Sequence, residues 1–194
     1  MKKLHVGCGP APIPGWINTD INPLDSSVMY MDAASPWPFQ EGELDYVFSE
    51  HLIEHLTFDG GVFFLREAHR CLKPGGRIRI ATPNIKFLFH MDRDWNVDQK
   101  YRDYAKWSSD AFIGKGIVHP VLVINNFFRD WGHQFLWDPS LLRHILIDVV
   151  KFSSAFQCCV STSGDPNLSG LEQHGKWIPP HWNELETMVF EAAK

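Results

Sequence analysis

Residues 44 to 82 predict a strand, a helix and a second strand in direct succession. Leu44 to Ser49 and Arg77 to Thr82 are short apolar segments, and the stretch from Asp59 to Leu72 places its apolar residues on one helical face. The run Lys73-Pro74-Gly75-Gly76 ends that helix. A helix between two strands is a crossover connection, which makes the strands parallel neighbours. The chain is therefore expected to be an α/β protein with a mostly parallel sheet.

Short segments on both sides of this unit extend the pattern. Further strands are expected at Leu4 to Val6, Trp16 to Ile21, Val28 to Asp32, Cys158 to Thr162 and Glu186 to Ala192. A second helix is expected after Asp138, its N-cap, with Pro139 in the first position. Only Pro10 to Gly15 separate the first two strands, whereas a βαβ crossover needs at least about 10 to 12 residues. The first crossover helix is therefore expected to be missing or vestigial.

Composition limits the number of domains and the classes of partner. A chain of 194 residues with 44% apolar content is expected to form one domain, residues 1–194. With 18 Lys plus Arg against 23 Asp plus Glu and no long basic run, it is not expected to bind nucleic acid. No stretch approaches the roughly 18 to 20 apolar residues of a membrane span, and the amino terminus lacks a signal-peptide pattern, so a cytoplasmic location is expected. The oligomeric state is left open.

Residues 87–137 differ in character from the strand-rich segments before them. They contain Trp95, Trp107, Trp131 and Trp137 among many charges, without a clean period. We expect an irregular or loosely helical insertion that forms a cap over the active site, because long insertions of this kind are often functional.

Three consecutive strand ends carry residues suited to a nucleoside. The first strand runs into Gly7-Cys8-Gly9, where the glycines allow a sharp turn and a close approach to a ligand. Asp20 ends the next strand, where a carboxylate can accept both ribose hydroxyls, and Asp32 ends the third, placed for an adenine amino group. Aspartate is also common in turns, so either residue alone could simply end a strand. Their occurrence together after the glycines favours the nucleoside interpretation.

Five segments in fixed order carry a family resemblance, namely LHVGCGP, GWINTDI, MDAASPWPF, LDYVFSEHLIEHL and LKPGGRIRIATPN. Through them the first 85 or so residues resemble the class I S-adenosylmethionine-dependent methyltransferases, especially the methyltransferase type 11-like branch. The resemblance implies a Rossmann-like three-layer sandwich with a mostly parallel seven-stranded sheet whose last strand is antiparallel. It also implies S-adenosylmethionine as the cofactor.

The resemblance assigns roles to residues of these segments. The residues implied in cofactor binding are Gly7, Cys8, Gly9, Asp20, Ile21, Asp32, Ala33, Ser49 and Glu50. Ser49, Glu50 and His51 are expected to face the transferred methyl group. His133, in a segment that in related enzymes often contributes to the acceptor pocket, is a second functional candidate, with a plain surface loop as the alternative. If the acceptor must lose a proton, His51 and His133 are the candidate bases, because imidazole titrates near neutral pH.

The short connection after Gly9 has a consequence for the cofactor's methionine carboxylate. A missing helix removes backbone N–H donors that could bind this group. We expect Arg93, Arg102 or Arg129 in the insertion to replace them.

A competing motif lies within LDYVFSEHLIEHL. His51, Glu54 and His55 form H-x-x-E-H, the pattern of inverted zinc metallopeptidases. That pattern requires a long helix, whereas a strand is expected to end at Ser49, so His55 is interpreted as a packing or capping residue and no metal is expected. The polar-aromatic cluster LEQHGKWIPPHW, with His174 and Trp177, is interpreted as a stiff loop of mainly structural role.

The function that follows is methyl transfer from S-adenosylmethionine to a small-molecule or glycan-precursor acceptor. A cofactor-binding sensor or partner subunit without turnover is the first alternative, since the loop after Gly9 departs from the usual pattern. A zinc metallopeptidase acting through His51, Glu54 and His55 is the second.

Overall fold

A seven-stranded sheet of mixed direction organises the molecule, and the computed structural model describes all of residues 1–194. Its strands are β1 (Lys3–Val6), β2 (Ile17–Asp20), β3 (Val28–Tyr30), β4 (Leu44–Glu50), β5 (Leu72–Pro83), β6 (Ser154–Cys158) and β7 (Thr187–Ala193). They lie in the order β3-β2-β1-β4-β5-β7-β6. The first five are parallel, and β7 runs antiparallel to both β5 and β6. The predicted α/β class, with a mostly parallel Rossmann-like sheet and an antiparallel last strand, is confirmed.

The helices follow β4 rather than the first three strands. They are α1 (Phe58–Cys71), α2 (Ile85–Asp94), α3 (Gln99–Ser108), α4 (Pro120–Arg129), α5 (Pro139–His144) and α6 (Pro180–Glu186). Wide turns at Ser109–Ile113 and Ile145–Val150 extend α3 and α5, and short 3₁₀ turns lie at Ile53–His55 and His174–Lys176. No helix lies between β1 and β2, as predicted from the short connection. None of the helices combines the length and the apolar character that crossing a bilayer requires.

Three expected boundaries are corrected by the structure. Helix α1 begins at Phe58 rather than at Asp59, and its N-cap is Thr57, whose hydroxyl accepts a hydrogen bond from the Gly60 N–H. Strand β6 precedes the expected segment, because its ladder with β7 pairs Ser154 with Ala193 and Cys158 with Val189. The cluster expected to be a loop contains α6, which begins at Pro180, a residue whose fixed φ suits the first helical turn.

One face of the sheet is covered by helices. Apolar side chains of the strands, including Val6, Val47 and Ile78, form one buried cluster with α1 and with α5. Asp138 caps α5 by accepting a hydrogen bond from the Leu141 N–H at 2.6 Å, as predicted. This layer fixes β4, and with it the residues that follow β4, against α1.

The opposite face is covered by the segment 159–177, which contains no α-helix. Side chains alternate along a strand, so Arg79 of β5 points away from Ile78 and toward this segment. The fully buried Arg79 guanidinium donates to the Glu172 carboxylate and to the carbonyls of Cys159 and Thr162. This network holds the segment on the sheet and carries His174 toward the carboxyl edge of the strands.

The insertion is more regular than the sequence predicted. Residues expected to be irregular form α2, α3 and α4, and these helices share a second buried apolar cluster that includes Phe87, Tyr104 and Phe127. The helices are short and joined by turns, so no single period extends across the segment. They stand beyond the carboxyl end of β5, beside the strand ends that carry the candidate site residues.

Candidate active site

The loop after β1 and the end of β2 are joined at the carboxyl edge of the sheet. The N–H groups of Gly7 and Cys8 both donate to the Thr19 carbonyl at 2.9 Å. The Gly9 N–H donates to the Asp20 carboxylate at 2.8 Å. Gly7 and Gly9 adopt φ values of +70° and +49°, a region that favours glycine over residues with a Cβ. The GxG motif and Asp20 therefore form one structural unit, as the sequence suggested.

A cavity of about 400 Å³, here termed the strand-edge cavity, opens beside this loop. Its walls are formed by His5, Gly7, Cys8, Gly9, Pro10, Ala11, Glu50, His51, His174 and Trp177. A Cβ placed on Gly9 would meet no atom within 4 Å, whereas one on Gly7 would lie 2.7 Å from the Leu52 side chain. Gly7 is thus required by packing, while Gly9 leaves free space on the cavity side.

The ends of β2 and β3 are also adjacent, since the Met31 N–H donates to the Asp20 carbonyl at 3.0 Å. The Asp20 carboxylate accepts from Gly9 and from the Asn22 N–H, and that of Asp32 accepts from the Ala34 N–H at 2.9 Å. A carboxylate has about four lone-pair sites, so both side chains can still accept hydrogen bonds from a ligand.

Two apolar neighbours of these carboxylates differ in exposure. Ala33 is buried, and its carbonyl accepts a hydrogen bond from the Trp37 indole. Ile21 is 53% exposed, which is unusual for a large apolar residue directly after a buried strand. Its exposed side chain is available to an apolar part of a ligand.

A second cavity, here termed the aromatic cavity, lies between the strand ends and the insertion. Its volume is about 240 Å³. Its walls are formed by His51, His55, Pro83, Tyr104, Trp107, Phe112, Phe127, Trp131, His133, His174, Trp177, Ile178 and Glu186. Trp107 packs edge to face on Phe112, and Phe112 packs edge to face on Trp131, with ring centroids 5.4 Å and 5.3 Å apart. A series of contacting rings therefore forms much of one wall.

His51, His174 and Trp177 line both cavities and form the junction between them. The His51 and His174 rings stack with centroids 3.9 Å apart. His51 has a φ of +46°, a left-handed conformation that costs energy in a non-glycine residue and is found most often at functional sites. This conformation directs the chain sharply away from β4 at the point where the two cavities meet.

The charge state at the junction depends on a buried carboxylate. His51 Nδ1 lies 3.1 Å from Glu54 Oε1, and the Glu54 side chain is fully buried. Burial alone would lower the pKa of His51, but the neighbouring carboxylates, Glu54 foremost, outweigh burial and raise it. Burial alone would raise the pKa of Glu54, but His51 outweighs burial and lowers it. Burial raises the pKa of the Cys8 thiol to about 11, so Cys8 is not a nucleophile near neutral pH.

Glu50 connects β4 to the covering segment. Its carboxylate accepts hydrogen bonds from the backbone N–H groups of Gln173 and His174 at 2.8 to 3.0 Å. Glu50 therefore fixes His174 at the junction. Ser49 is fully buried, lines neither cavity and lies on the helix-covered face with Val47. Asp20, Ile21, Asp32 and Ala33 also lie outside the walls of the strand-edge cavity, at the neighbouring strand ends. The expectation that Ser49 faces the methyl group is corrected.

His133 reaches the aromatic cavity from the segment after α4. Its Nδ1 lies 2.7 Å from the Phe127 carbonyl, which can only accept, so Nδ1 carries the proton and Nε2 is free. Burial lowers the pKa of His133 and keeps the ring neutral near pH 7. His133 also packs edge to face on His55, with centroids 4.9 Å apart.

Two other expectations are not met. Arg93 pairs with Asp94, Arg102 donates to the Trp95 carbonyl, and Arg129 is exposed, so no arginine of the insertion reaches the strand-edge cavity. The expected replacement of the missing helix by one of these arginines is therefore wrong. The H-x-x-E-H pattern spans a 3₁₀ turn of three residues rather than the long helix that metallopeptidases of that type require.

Sequence reasoning missed several residues of the two cavities. His174 and Trp177 belong to a polar-aromatic cluster whose sequence predicts a mainly structural role, whereas both line the two cavities. Tyr104 and Glu186, whose side chains hydrogen-bond to each other, were not singled out. The dense aromatic and histidine content of LEQHGKWIPPHW was the signal that could have indicated His174 and Trp177. No local pattern marks Tyr104 or Glu186, because distant elements bring them together.

Comparisons with known proteins agree with this geometry. Residues 16–80 match the family model of a methyltransferase domain. A search of curated proteins returned no match. The matched range begins just before β2 and ends within β5, so it includes Asp20, Asp32 and the turn after β4.

Solved structures share the fold over the whole chain. An S-adenosylmethionine-dependent methyltransferase from Archaeoglobus fulgidus has a TM-score of 0.57 and 17% identity, over 100% of this chain and 86% of that one. One from Thermotoga maritima has a TM-score of 0.54 and 13% identity, over 100% and 82%. Haemonchus contortus phosphoethanolamine N-methyltransferase 2, in complex with S-adenosyl-L-methionine, has a TM-score of 0.50 and 14% identity, over 100% and 48%. The resemblance inferred from the sequence is thereby confirmed, because a methyltransferase-domain model matches residues 16–80 and solved methyltransferase structures share the fold of the chain.

Proposed function

We propose that this chain, whose fold is that of class I methyltransferases, binds S-adenosylmethionine in the strand-edge cavity and methylates a small molecule in the aromatic cavity. One observation carries the proposal. Two cavities meet at the carboxyl edge of the parallel strands, and they share only His51, His174 and Trp177. Methyl transfer requires this arrangement, because donor and acceptor must approach in line across a short distance.

The residues around the strand-edge cavity fit the cofactor. Gly7, Cys8 and Gly9 would lie beside its methionine part, where the free space at Gly9 admits a ligand without a Cβ in the way. Asp20 would accept from the ribose hydroxyls with Ile21 alongside. Asp32 would accept from the adenine amino group, with Ala33 beside it. When bound, the cofactor supplies an activated methyl group on a sulfonium.

The protein's contribution is alignment and, where the acceptor must lose a proton, its removal. Glu50 holds His174, and His174 stacks on His51, so the junction is fixed by contacts between the end of β4 and the covering segment. His51 is the residue best placed to accept a proton from the acceptor, because its imidazole lines both cavities. His133 lies in the wall of the aromatic cavity and would orient the acceptor.

The lining of the cavities restricts the acceptor. Neither cavity is lined by a lysine or an arginine, and the aromatic cavity contains the carboxylate of Glu186. No lysine or arginine would pair with an anionic group such as a phosphate there, whereas a planar, apolar or cationic group would contact the rings. If the acceptor is a glycan precursor, its charged part would lie outside this cavity. A cytoplasmic location stays a prediction from the sequence.

Calorimetric titration with S-adenosylmethionine and S-adenosylhomocysteine tests the cofactor site. We expect Asp20→Ala to weaken binding roughly 10- to 100-fold, as for loss of hydrogen bonds to a charged group. Asp32→Ala should weaken it by a similar or smaller factor. Asp25→Ala is the matched control, since Asp25 also follows β2 but its carboxylate accepts hydrogen bonds only from Ser27. Failure of the folded wild-type protein to bind either compound would refute the proposal.

Turnover distinguishes an enzyme from a sensor. An acceptor screen that detects release of S-adenosylhomocysteine, centred on aromatic and amine compounds, should identify a substrate for the wild-type protein. With that substrate, His51→Asn should lower kcat more than it raises KM, because the substitution removes the candidate base and leaves the cavity walls in place. Cofactor binding without release in any condition would favour a sensor or partner subunit.

A further inference from the structure

A carboxylate and two imidazoles converge at the edge of the aromatic cavity. Glu54, His55 and His133 each present one potential ligand atom, and these atoms all lie within 4.8 Å of one another. Two histidines and one carboxylate are the donor set of many catalytic zinc sites and of related sites for divalent transition metals. We propose that these three side chains bind one divalent transition-metal ion of the zinc type.

Two of the three side chains, His133 and Glu54, are each oriented by a hydrogen bond to a residue outside the cluster. The Nδ1–H of His133 donates to the Phe127 carbonyl, which leaves Nε2 as the free donor atom. The Thr82 hydroxyl donates to Glu54 Oε2 at 2.9 Å. Hydrogen bonds of this kind fix the tautomer and the orientation of the residues that coordinate a metal directly. The cluster is therefore held in place by groups that do not themselves bind the ion.

The second carboxylate oxygen of Glu54 is incompletely satisfied. Glu54 is 0% exposed, and its Oε1 accepts no well-aligned hydrogen bond, although His51 lies 3.1 Å away. The ion pair with His51 therefore leaves lone pairs of this buried oxygen without a hydrogen-bond donor. A carboxylate has about four lone-pair sites, so Glu54 can bind an ion and keep its contact with Thr82. A bound cation would satisfy this oxygen.

The cluster is open toward the acceptor side. His55 and His133 line the aromatic cavity, so coordination positions that the protein does not fill face that space. Catalytic zinc sites characteristically use three protein ligands and leave a further position for water or substrate. The ion would thus hold an oxygen of the acceptor. This role rests on the proposed function, whereas the binding of the ion does not.

The test measures metal binding without cofactor or acceptor. Protein freed of metal with a chelator and then dialysed is titrated with Zn²⁺ in the presence of a competing chromophoric chelator. We expect one Zn²⁺ per chain, and at least a roughly 10- to 100-fold loss of affinity in both His55→Ala and His133→Ala. His144→Ala is the matched control, because His144 pairs with Asp148 on the surface, and it should bind as the wild type does.

A spectroscopic measurement keeps the test independent of the variants' folding. Wild-type protein loaded with Co²⁺ should show the intense visible absorption of a four- or five-coordinate ion. Absence of Zn²⁺ uptake, weak absorption of an octahedral type, or unchanged affinity in folded His55→Ala and His133→Ala would each overturn the metal site. If S-adenosylmethionine still binds in that case, the metal proposal alone fails.

Discussion

Replacing Arg79 should destabilise the protein strongly, because this side chain joins three parts of the structure. Its guanidinium is fully buried between Glu172 and Glu191, with Nε and one terminal nitrogen each 2.5 Å from a carboxylate oxygen. It also donates to the carbonyls of Thr162 and Cys159 at 3.0 and 3.1 Å. The Arg79→Met variant would leave two buried carboxylates without a cation.

The magnitude follows from the cost of breaking a buried ion pair. Removing one partner of such a pair costs about 3 to 5 kcal/mol, because the other charge stays buried and unpaired. A domain of ordinary stability has about 5 to 15 kcal/mol, so Arg79→Met should lose a large part of it. The comparison variant is Arg93→Met, whose side chain is 67% exposed and pairs with Asp94, and it should leave the free energy of unfolding nearly unchanged.

Urea denaturation followed by tryptophan fluorescence and circular dichroism measures these differences. A further variant that combines Arg79→Met with Glu172→Gln and Glu191→Gln removes the buried charges together and should recover much of the loss. A cost below about 1 kcal/mol for Arg79→Met, or no recovery in the combined variant, would refute the reasoning. Because Glu172 and His174 lie in one segment, Arg79→Met should also weaken cofactor binding where the protein is still folded.

Three further changes test the fold. His5 is buried, and burial lowers its pKa from 6.5 to about 4, so between these pH values the unfolded chain binds a proton that the folded chain does not. The free energy of unfolding should therefore drop by about 2 kcal/mol between pH 7.5 and pH 5 because of this residue. In urea titrations at both pH values, His5→Gln should remove this part of the pH dependence. Thr57→Ala removes the N-cap of α1 and should cost about 1 kcal/mol in thermal or urea unfolding, and no change would show that the cap is replaced by water. Gly61→Ala would normally favour a helix, but a Cβ there would lie 2.7 Å from the Trp137 ring, so we expect a loss of about 1 to 3 kcal/mol; a gain in stability would contradict the packing described for Trp137.

The sequence alone determined the local elements and the positions of the strand ends. Short apolar segments that end in glycine or aspartate predicted the strands, and the brief connection after Gly9 predicted the missing helix. These features depend on residues close together in the chain, where spacing and turn chemistry decide the structure. For the same reason the sequence alone indicates that Gly9 and Asp20, at the ends of adjacent strands, belong together, and a hydrogen bond joins them in the structure.

The tertiary structure alone decided which distant residues share the junction and the second cavity. His174 is 123 positions beyond His51 in the chain, yet their rings stack because Glu50 binds the backbone of the covering segment. His133 meets Glu54 because the Gln134 N–H donates to the Glu54 carbonyl at 2.8 Å, a contact between segments 80 residues apart. Ser49 turned away from the site because strand alternation places neighbouring side chains on opposite faces once the sheet has formed. Long-range hydrogen bonds and sheet packing, which no local pattern encodes, therefore assembled the candidate acceptor pocket and the proposed metal site.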